Sequence, residues 1–273
     1  AKINAQISNR GMRWNAGENE FGNLYYKEKR FDFGGGDDYN SYGLEFQISG
    51  VFSIPQYWER SLLKTDVPST VFEYDIRKLH NALNVTSPYY NSKSIHGWMT
   101  PTKNQYVPQH CGSCWAFAAV ATVEGVTNLY FNKHIDFDLS EQYILSCSGA
   151  GSCRRGWVDD ALHYIHDYGI VDEICAPYYA NDTACNTIDT ANKNELVFIS
   201  DRVSVGTNAP NVQKSIVKYG PLAAKISGHA MSLIGWREYN DGTLAWIFKN
   251  SSTWNNIESG IRLVDENSLL SSY

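Results

Sequence analysis

The sequence predicts an α+β fold in which a helical first half and a β-rich second half are unlike. Helix candidates cluster between residues 115 and 168, and short strand candidates follow after residue 196. A run of helices followed by a run of strands is typical of folds that keep the two kinds of element apart. All six cysteines fall within residues 111–185. The chain has 273 residues, enough for one large domain or two modest ones.

The helix candidates are residues 115–131, 139–147 and 159–168. In the first, apolar residues recur at three- and four-residue spacing, and Ser113 stands where a cap is expected. The third ends before Gly169, a residue type that commonly stops helices. The strand candidates are residues 223–226, 231–236, 244–249 and 260–264.

Residues 1–90 are predicted to form an N-terminal extension, which is an extra domain, an interaction arm or a retained pro-segment. This stretch contains no cysteine and is rich in Gly, Asn and Tyr. Three consecutive glycines at 34–36 predict a turn or loop. Partial alternation of apolar residues favours a strand near 46–48, and residues 71–83 predict a short helix. Residues 91–273 are predicted to form the second domain.

Composition and charge exclude two classes of function. The formal net charge is −6, and no basic run or patch is visible, so the sequence gives no reason to expect nucleic-acid binding. No apolar run approaches the roughly 18 residues that a membrane-spanning helix needs. Apolar residues make up 43% of the chain and charged residues 19%, which is typical of a globular protein.

Sequons and clustered cysteines favour an oxidising compartment. Asn84, Asn181 and Asn250 each begin an Asn-X-Ser/Thr match, a weak signal that gains weight beside six cysteines. We therefore expect a lysosomal or secreted glycoprotein that is modified at Asn84 and Asn181. Asn250 is expected to stay unmodified because it is buried between predicted strands.

Cys114, His229 and Asn250 form a candidate set of nucleophile, base and orienting residue. Cys114 lies at the predicted N-terminus of a helix, where unpaired N–H groups and the helix dipole lower the pKa of a thiol. His229 precedes one apolar strand and Asn250 follows another. A histidine oriented by an amide on the next strand completes Cys–His–Asn chemistry. The residues alone leave open a Cys114 in a disulfide and a structural His229.

The chain resembles papain-like cysteine peptidases over residues 91–264. Residues 111–115 read Cys-Gly-Ser-Cys-Trp, a signature of that family. Further segments that resemble the family follow the family's chain order, at residues 97–105, 139–147, 229–236, 246–251 and 260–263. The resemblance implies a two-lobed fold with a cleft between the lobes. A helical half bears Cys114, and a twisted antiparallel β half bears His229 and Asn250.

The resemblance also implies a role for each residue of the site. Cys114 attacks the scissile carbonyl, His229 transfers the proton and Asn250 orients the imidazole. Gln105 donates to the oxyanion together with the backbone N–H of Cys114. Gln109 is nearer to Cys114 and is the rival donor, but the surrounding segment favours Gln105. The implied substrate is a peptide or protein, cleaved through a thioester, and no metal or organic cofactor is implied.

Two disulfides follow from the same resemblance, Cys111–Cys153 and Cys147–Cys175. In this pattern one cysteine of the Cys-Gly-Ser-Cys motif forms a disulfide and the other reacts. Cys185 has no partner in the family pattern. We therefore expect it to be a buried thiol or a link to another chain.

Within the family, the likeness is greatest to the cathepsin X (cathepsin Z) type. Three extra residues lengthen the segment from Gln105 to Cys111, an insertion that this type shares. In that type a histidine and a tyrosine at the insertion help to bind the C-terminal carboxylate of the substrate. Here the two residue types are exchanged, as Tyr106 and His110. The pair either still holds a carboxylate, with His110 protonated at acidic pH, or has lost this anchor.

Three departures from the family pattern bear on activity. Ser252 stands in place of a tryptophan that shields the His–Asn bond, so we expect that bond to be wetter. Arg155 precedes Gly156 in the edge that binds substrate backbone, where a long cation either blocks the cleft or selects acidic peptides. The 115 positions from Cys114 to His229 are fewer than the roughly 130 expected, which indicates a missing loop.

These departures support a second class of function, a catalytically silent papain-like domain that serves as a structural or binding subunit. The Tyr- and Trp-rich residues 1–90 would then provide a surface for protein partners. A zinc site built from His110, Cys111 and Cys114 is disfavoured because a second cysteine pair at finger spacing is absent. All four catalytic positions are present, so the sequence favours an active peptidase.

Overall fold

A computed structural model describes residues 70–90, 96–132, 137–188, 196–252, 256 and 260–273. The predicted glycine loop at 34–36 and the strand near 46–48 lie outside these residues, as does most of the proposed partner-binding extension. The described residues confirm the α+β class, because helices precede most of the strands and the main sheet is antiparallel. No helix within these ranges is long and apolar enough to cross a lipid bilayer.

The helices and strands predicted between residues 115 and 264 are present within a few residues of their expected bounds. The α-helices of the described ranges are α1 (Cys114–Tyr130), α2 (Glu141–Cys147), α3 (Val158–Tyr168) and α4 (Ala209–Tyr219). The strands are β1 (Thr70–Asp75), β2 (Gly151–Ser152), β3 (Arg155–Gly156), β4 (Leu222–Ile226), β5 (His229–Tyr239), β6 (Leu244–Lys249), β7 (Ile261–Asp265) and β8 (Ser271–Ser272). Short 3-10 helices lie at Ile76–Asn81, Cys185–Thr187 and Glu266–Ser268.

Helix α1 lies between the other helices of the helical half and the sheet. Its small residues Ala116, Ala118 and Ala119 are buried, which lets neighbouring elements approach closely on several sides. Ser113 precedes the helix as predicted, but its side chain makes no capping hydrogen bond. Its hydroxyl lies 2.5 Å from the Tyr178 hydroxyl instead. The predicted cap is therefore wrong, and Ser113 contributes to the site described below.

Helix α2 begins, and helix α3 ends, at a residue type that favours a helix boundary. The Ser140 hydroxyl accepts the N–H of Tyr143 at 2.9 Å, so α2 begins two residues later than predicted. Helix α3 ends at Gly169, where φ is 76°. A left-handed backbone of this kind favours glycine, as the sequence indicated.

Strand β5 is the centre of the main sheet, whose order is β7-β6-β5-β4-β8. On one side its first residues pair with β4 and its last residues with β1, while β6 pairs along the other side. At Gly235, where β1 comes alongside, a Cβ would lie 2.0 Å from the carbonyl oxygen of Tyr74. A side chain at this position would clash with β1, so the pairing of β1 with β5 requires glycine at residue 235.

The two faces of the sheet belong to two hydrophobic cores. Along β4, Leu222, Ala224 and Ile226 pack into the core of the β half, which α4 covers. Ala223, on the opposite face, packs into the core of the helical half, and so does Ala230 of β5. Small side chains on this second face allow α1 to lie close to the sheet.

The short helix predicted over residues 71–83 is wrong. Its first part is strand β1, in which Tyr74 stacks on Trp236 of β5 with ring centroids 4.7 Å apart. Cross-strand aromatic packing overrides a weak helical pattern. Because β1 belongs to the main sheet, this sheet extends N-terminally past the boundary predicted at residue 90.

Two disulfides link segments of the helical half. Cys111 is bonded to Cys153, in the turn between β2 and β3, which is the pairing that the family resemblance implies. The implied pairing of Cys147 with Cys175 is wrong. Cys147 is bonded to Cys185 instead, and Cys175 is a free thiol.

The path of the chain explains why Cys185 is the partner. On α2, the Gln142 side chain accepts the N–H of Tyr179 and donates to the carbonyl of Asn181, both at 2.9 Å. This stretch therefore runs along α2 and brings Cys185 to the end of that helix. The expectation of a buried thiol or a link to another chain is wrong, because cysteine spacing alone does not determine connectivity.

Replacement of Cys185 by serine is expected to lower the thermal unfolding midpoint, whereas Cys175→Ser serves as the control with little effect. The bond joins residues 38 apart, and loss of such a link typically costs about 2–4 kcal/mol. For a domain of this size that corresponds to roughly 10 °C in the midpoint. Calorimetry of both variants without reductant measures the difference. A larger loss in Cys175→Ser, or a Cys147–Cys175 peptide in a non-reducing digest, would contradict the pairing.

Candidate active site

Cys114 is a free thiol at the first residue of α1. Burial raises the pKa of this thiol. Hydrogen bonds from the backbone N–H groups of Ala230, Trp115 and Cys114 itself act in the opposite direction, as does the charge of Lys225. The sulfur is therefore a half-buried group surrounded by donors and a cation, which stabilise it when it becomes an anion.

Neighbouring strands bring His229 and Asn250 together. His229 is the first residue of β5, and Asn250 directly follows β6. The distance from His229 Nε2 to Asn250 Oδ1 is 2.8 Å. Burial lowers the pKa of the imidazole, and the hydrogen bond to Asn250 opposes this effect. The bond occupies Nε2, which leaves Nδ1 as the ring nitrogen that does not contact Asn250. Ala230, whose N–H meets the sulfur, is the very next residue.

The Gln105 side chain is held beside this pair. Its Nε2 donates to the carbonyl of Cys111 at 2.9 Å, and its Oε1 accepts the Ser251 hydroxyl at 2.7 Å. The Gln105 backbone N–H also donates to the carbonyl of Ser251, at 2.9 Å. The rival, Gln109, donates instead to the carbonyl of Ala180, at 3.2 Å. The geometry thus favours Gln105 as the amide associated with the site.

Tyr178 links the two segments that flank the thiol, and the sequence analysis missed it. Its hydroxyl donates to the carbonyl of Gln105 at 2.9 Å and meets the hydroxyl of Ser113, next to Cys114. Its ring packs edge-on against Phe117 of α1. Nothing in the local sequence distinguishes this residue from the other 17 of the chain's 18 tyrosines. Tyr178 fixes the separation between the Gln105 amide and the start of α1.

Asn256 is a second residue that the sequence analysis missed. The Asn250 amide donates from Nδ2 to Oδ1 of Asn256 at 2.8 Å, and Asn256 donates from Nδ2 to the carbonyl of Ser252 at 2.8 Å. The His229–Asn250 bond is thereby extended by two further hydrogen bonds. The only signal in the sequence is the asparagine-rich stretch that follows Asn250.

The expectation that Ser252 leaves the His–Asn bond wet is wrong on the Asn250 side. Asn250 is 2% exposed and Ser252 is 5% exposed. Hydrogen bonds to Asn256 and to the Ser251 N–H saturate the Asn250 side chain where the family uses a tryptophan as a cover. Burial of this kind also fits the expectation that the Asn250 sequon stays unmodified.

Strands β2 and β3 form the edge that the sequence analysis assigned to substrate. A Cβ at Gly156 would lie 2.3 Å from the Trp115 ring, so no side chain fits there and the backbone lies flat on the indole. Arg155, one residue earlier, is exposed. The departure at Arg155 therefore adds a cation at the surface while the Gly156 backbone keeps its packing.

Tyr106 and His110 form one stacked pair on the inserted loop. Their ring centroids are 4.6 Å apart and their planes differ by 16°. The loop is held at its ends by Gln105, which is 1% exposed, and by the disulfide of Cys111. The inserted residues therefore present an aromatic ring and an imidazole side by side next to the Gln105 amide.

Other predicted residues lie apart from this constellation. Asn84 and Asn181 are exposed, as acceptors of glycans must be. Cys111 is unavailable to the disfavoured zinc site because it forms a disulfide. Within the described ranges, no cluster of three or more His, Cys, Asp or Glu residues has a geometry suited to a metal ion.

A buried network of charges lies next to the site. The Lys103 ammonium is 3.2 Å from the Glu124 carboxylate and 3.0 Å from that of Glu141. Burial opposes the charge of Lys103, but these carboxylates outweigh it and raise the pKa of the lysine. Lys249, adjacent to Asn250, donates to the Thr100 hydroxyl at 2.7 Å. Burial lowers the pKa of Lys249 to about 8.

Comparison of the sequence with known families gives a match to the family described as papain family cysteine protease, over residues 88–229. The match contains Gln105, Cys114 and His229, and it ends before Asn250. Fruit bromelain of Ananas comosus is 31% identical over 183 residues, which are 58% of this chain and 50% of that protein. Zingipain-2 of Zingiber officinale is 31% identical over 193 residues, 63% of this chain and 85% of that protein. The chain thus spans about half the length of fruit bromelain.

Solved structures show the same fold. The bromelain protease of Ananas comosus in complex with the E64 inhibitor superposes with a TM-score of 0.55 and 25% identity, covering 74% of this chain and 97% of that one. The ragweed pollen allergen Amb a 11, a cysteine protease solved in its proform, gives a TM-score of 0.57 at 21% identity. That superposition covers 100% of this chain and 86% of the allergen.

Replacement of Asn256 by alanine is expected to slow alkylation of Cys114 at about pH 6 while leaving the rate in alkaline buffer above the pKa of the thiol unchanged. The hydrogen bond from His229 to Asn250 raises the imidazole pKa, so a loosened Asn250 lets that pKa fall further. A less basic imidazole accepts the thiol proton less readily. One hydrogen bond of this kind corresponds to roughly a two- to tenfold change in rate.

Iodoacetamide kinetics over a pH series measure this effect, and Asn267→Ala, in a distant turn, is the matched control. Above the pKa of the thiol, the sulfur ionises without help from the imidazole, so a variant that is merely misfolded would change both limbs of the profile. An Asn256→Ala profile identical to that of the control would refute the role of Asn256.

Proposed function

We propose that this chain, which belongs to the papain family of cysteine proteases, hydrolyses peptide bonds through a covalent thioester on Cys114. In this proposal His229 is the acid–base residue and Asn250 orients its imidazole. Gln105 and the backbone N–H of Cys114 bind the oxyanion. Disulfides in the helical half support an oxidising compartment, and we propose a lysosomal or secreted protein with glycans at Asn84 and Asn181.

One observation carries the proposal. The free thiol of Cys114 accepts the N–H of Ala230, while the imidazole of the preceding residue is held by Asn250 at 2.8 Å. A nucleophile beside a base, which a third group orients, is the arrangement that nucleophilic catalysis requires. The bond to Asn250 fixes the ring so that Nδ1 is the nitrogen available to the sulfur.

Acylation follows from these positions. The sulfur loses its proton to His229 Nδ1, and the Cys114 thiolate attacks the scissile carbonyl carbon. The carbonyl oxygen becomes an anion, which the Gln105 amide and the Cys114 N–H stabilise; loss of one such donor typically costs about a hundredfold or more in rate. The imidazolium then protonates the departing amine, the C–N bond breaks and a thioester remains.

Deacylation uses the same groups in reverse. His229 takes a proton from a water molecule, and the hydroxide formed attacks the thioester carbonyl. The same donors stabilise the second oxyanion. The C–S bond breaks, the carboxylic acid leaves and the sulfur is protonated again from the imidazolium. Atoms balance because each turnover consumes one water and yields one acid and one amine.

An epoxide-type thiol inhibitor is expected to add one equivalent to the wild-type chain, at Cys114. Cys175→Ser, which removes the second free thiol, should label equally well, whereas Cys114→Ala should not label at all. Intact-mass measurement followed by peptide mapping, under mildly acidic and mildly reducing conditions, reads out the adduct. Turnover of a fluorogenic peptide should fall by about a thousandfold or more in Cys114→Ala and in His229→Ala.

An unlabelled Cys114 and an absence of peptide turnover in a folded chain would support the second candidate function, a silent papain-like subunit. The exposed Arg155 and the exchanged Tyr106–His110 pair are the features that favour it. Labelling at Cys175 alone would have the same meaning, since that thiol lies outside the constellation.

A finer proposal concerns the mode of cleavage. We propose that the stacked Tyr106 and His110 hold the C-terminal carboxylate of a substrate, which makes the enzyme a carboxypeptidase. The support is their position on a loop that begins beside the Gln105 amide, together with the 4.6 Å stack that pre-orients both rings. A protonated His110 offers an N–H donor and a charge to a carboxylate, and the Tyr106 hydroxyl offers a second donor.

Peptides with a free C-terminus are expected to be cleaved about fivefold faster than their amidated forms at about pH 5, because a partly exposed ion pair contributes about 1 kcal/mol. The preference should disappear in His110→Ala but not in Val107→Ala, an exposed position on the same loop. Mass spectrometry of the products identifies which bond is cut. Equal rates for free and amidated peptides in the wild type would dismiss the carboxypeptidase proposal and leave endopeptidase cleavage.

A further inference from the structure

Lys225 is the single position of β4 that is not buried. Side chains alternate along a strand, so Lys225 lies on the same face as Ala223, which packs against the helical half. Its partner across the ladder is Ala230 of β5, another residue of that face. The ammonium group therefore stands where the sheet meets the helical half.

The Lys225 side chain reaches across this junction to Trp157. Its Nζ lies 5.0 Å from the centre of the Trp157 ring, within range of a cation–π interaction. Trp157 connects β3 to α3 and is 55% exposed. An indole this exposed contributes little to a core, and its contact with Lys225 holds an ammonium at the surface in a defined position.

Both groups flank the reactive sulfur. The N–H of Ala230, the ladder partner of Lys225, bonds to the Cys114 sulfur. Trp157 directly follows Gly156, whose backbone lies against Trp115, the neighbour of Cys114. The Lys225–Trp157 contact therefore lies beside the sulfur, where the proposed peptidase function places the peptide.

Carboxylates of the described residues form no ion pair with the cations near the sulfur. Lys225, Arg154 and Arg155 have no Asp or Glu partner in this part of the chain, whereas Lys103 and Lys249 do. Arg154 and Arg155 are both exposed and lie two and three residues before Trp157. The protein as a whole carries a surplus of acidic groups, with a formal net charge of −6. A local excess of positive charge beside the nucleophile is complementary to an anionic ligand group.

We infer that Lys225 and Trp157 form a subsite that selects an Asp or Glu side chain of the peptide substrate, within a field that Arg154 and Arg155 strengthen. The inference rests on the proposed peptidase function, whose substrate class it narrows. An ammonium has three N–H donors, and its contact with a ring face leaves N–H donors available to a carboxylate of the substrate. The ring restricts the lysine side chain, so less entropy is lost when a carboxylate binds.

A competing role for Lys225 is support of the thiolate, since its charge favours the ionised form of Cys114. The two roles separate experimentally. Thiolate support changes the pH profile of Cys114 alkylation and affects all substrates equally. Substrate selection changes the ratio of rates between an acidic peptide and its neutral isostere.

The test uses pairs of fluorogenic peptides that differ only in Glu against Gln at one position, scanned over the residues that precede the scissile bond. In the wild type, one position is expected to give a Glu/Gln ratio of kcat/KM of about five, the effect of a partly exposed ion pair. Lys225→Gln should bring that ratio to about one, and Lys225→Glu should bring it below one, in favour of the Gln peptide. Trp157→Ala should reduce the ratio, and Trp157→Phe should retain most of it.

Lys214→Gln is the matched control, because Lys214 is exposed on α4, on the opposite face of the sheet, and should leave the ratio unchanged. A wild-type ratio near one at every position would overturn the inference. So would a Lys225→Gln variant that keeps the ratio but shifts the alkylation profile, since that outcome assigns the lysine to the thiolate.

Binding to Cys114→Ala separates failure of this inference from failure of the proposed function. Isothermal titration of the same Glu and Gln peptides needs no turnover. A fivefold tighter Kd for the Glu peptide, lost in Cys114→Ala with Lys225→Gln, would support the subsite even in a chain that hydrolyses nothing. If the wild type hydrolyses both peptides but Cys114→Ala binds them with equal Kd values, the peptidase proposal stands and the proposed subsite is refuted.

Discussion

The contact between the start of α1 and the start of β5 determines the geometry of the whole site. Where the two meet, the N–H of Ala230 points at the Cys114 sulfur. This contact brings the start of β5, and with it His229, to the thiol, and the pairing of β5 with β6 brings Asn250 to the imidazole. Three residues distant in sequence are brought together by one helix–strand contact and one strand pair. Small residues such as Ala230 are needed there, since a larger side chain would hold the helix away from the sheet.

Buried charges hold the segments that carry the site. Glu124 of α1 contacts Lys103, accepts the N–H of Leu139 at 2.9 Å and lies 3.9 Å from Lys249. Lys103 is two residues before Gln105, and Lys249 is the residue before Asn250, so one carboxylate reaches both segments. Burying ions is costly, and such pairs often give little net stability, but removal of one partner leaves an uncompensated charge at a cost of about 3–5 kcal/mol. The network therefore restricts where Gln105 and Asn250 can be placed.

Local sequence predicted those parts of the fold and site that depend on local chemistry. Apolar periodicity located α1, a glycine marked the end of α3, and family-like motifs singled out Cys114, His229 and Asn250. The parts that failed depend on tertiary contacts. The Cys147–Cys185 bond follows from how the chain runs along α2, and β1 is a strand because β5 is there to pair with it. Asn256 likewise acquires its meaning only when Asn250 is 2.8 Å away.

At the cleft, electrostatic interactions between groups in contact outweigh those with distant charges. Exposed charges separated by more than a Debye length, about 8 Å at physiological salt, are largely screened, so the net charge of −6 acts only weakly on an acidic peptide at the sulfur. The Trp157 ring holds the Lys225 ammonium in position. The attraction between this ammonium and a carboxylate in direct contact with it would be only weakly screened. Arg155, which departs from the family pattern, is compatible with this edge, because it adds a cation beside Gly156 without disturbing the packing of Gly156 on Trp115. Under the proposed peptidase function, the same cations make the cleft complementary to an acidic peptide.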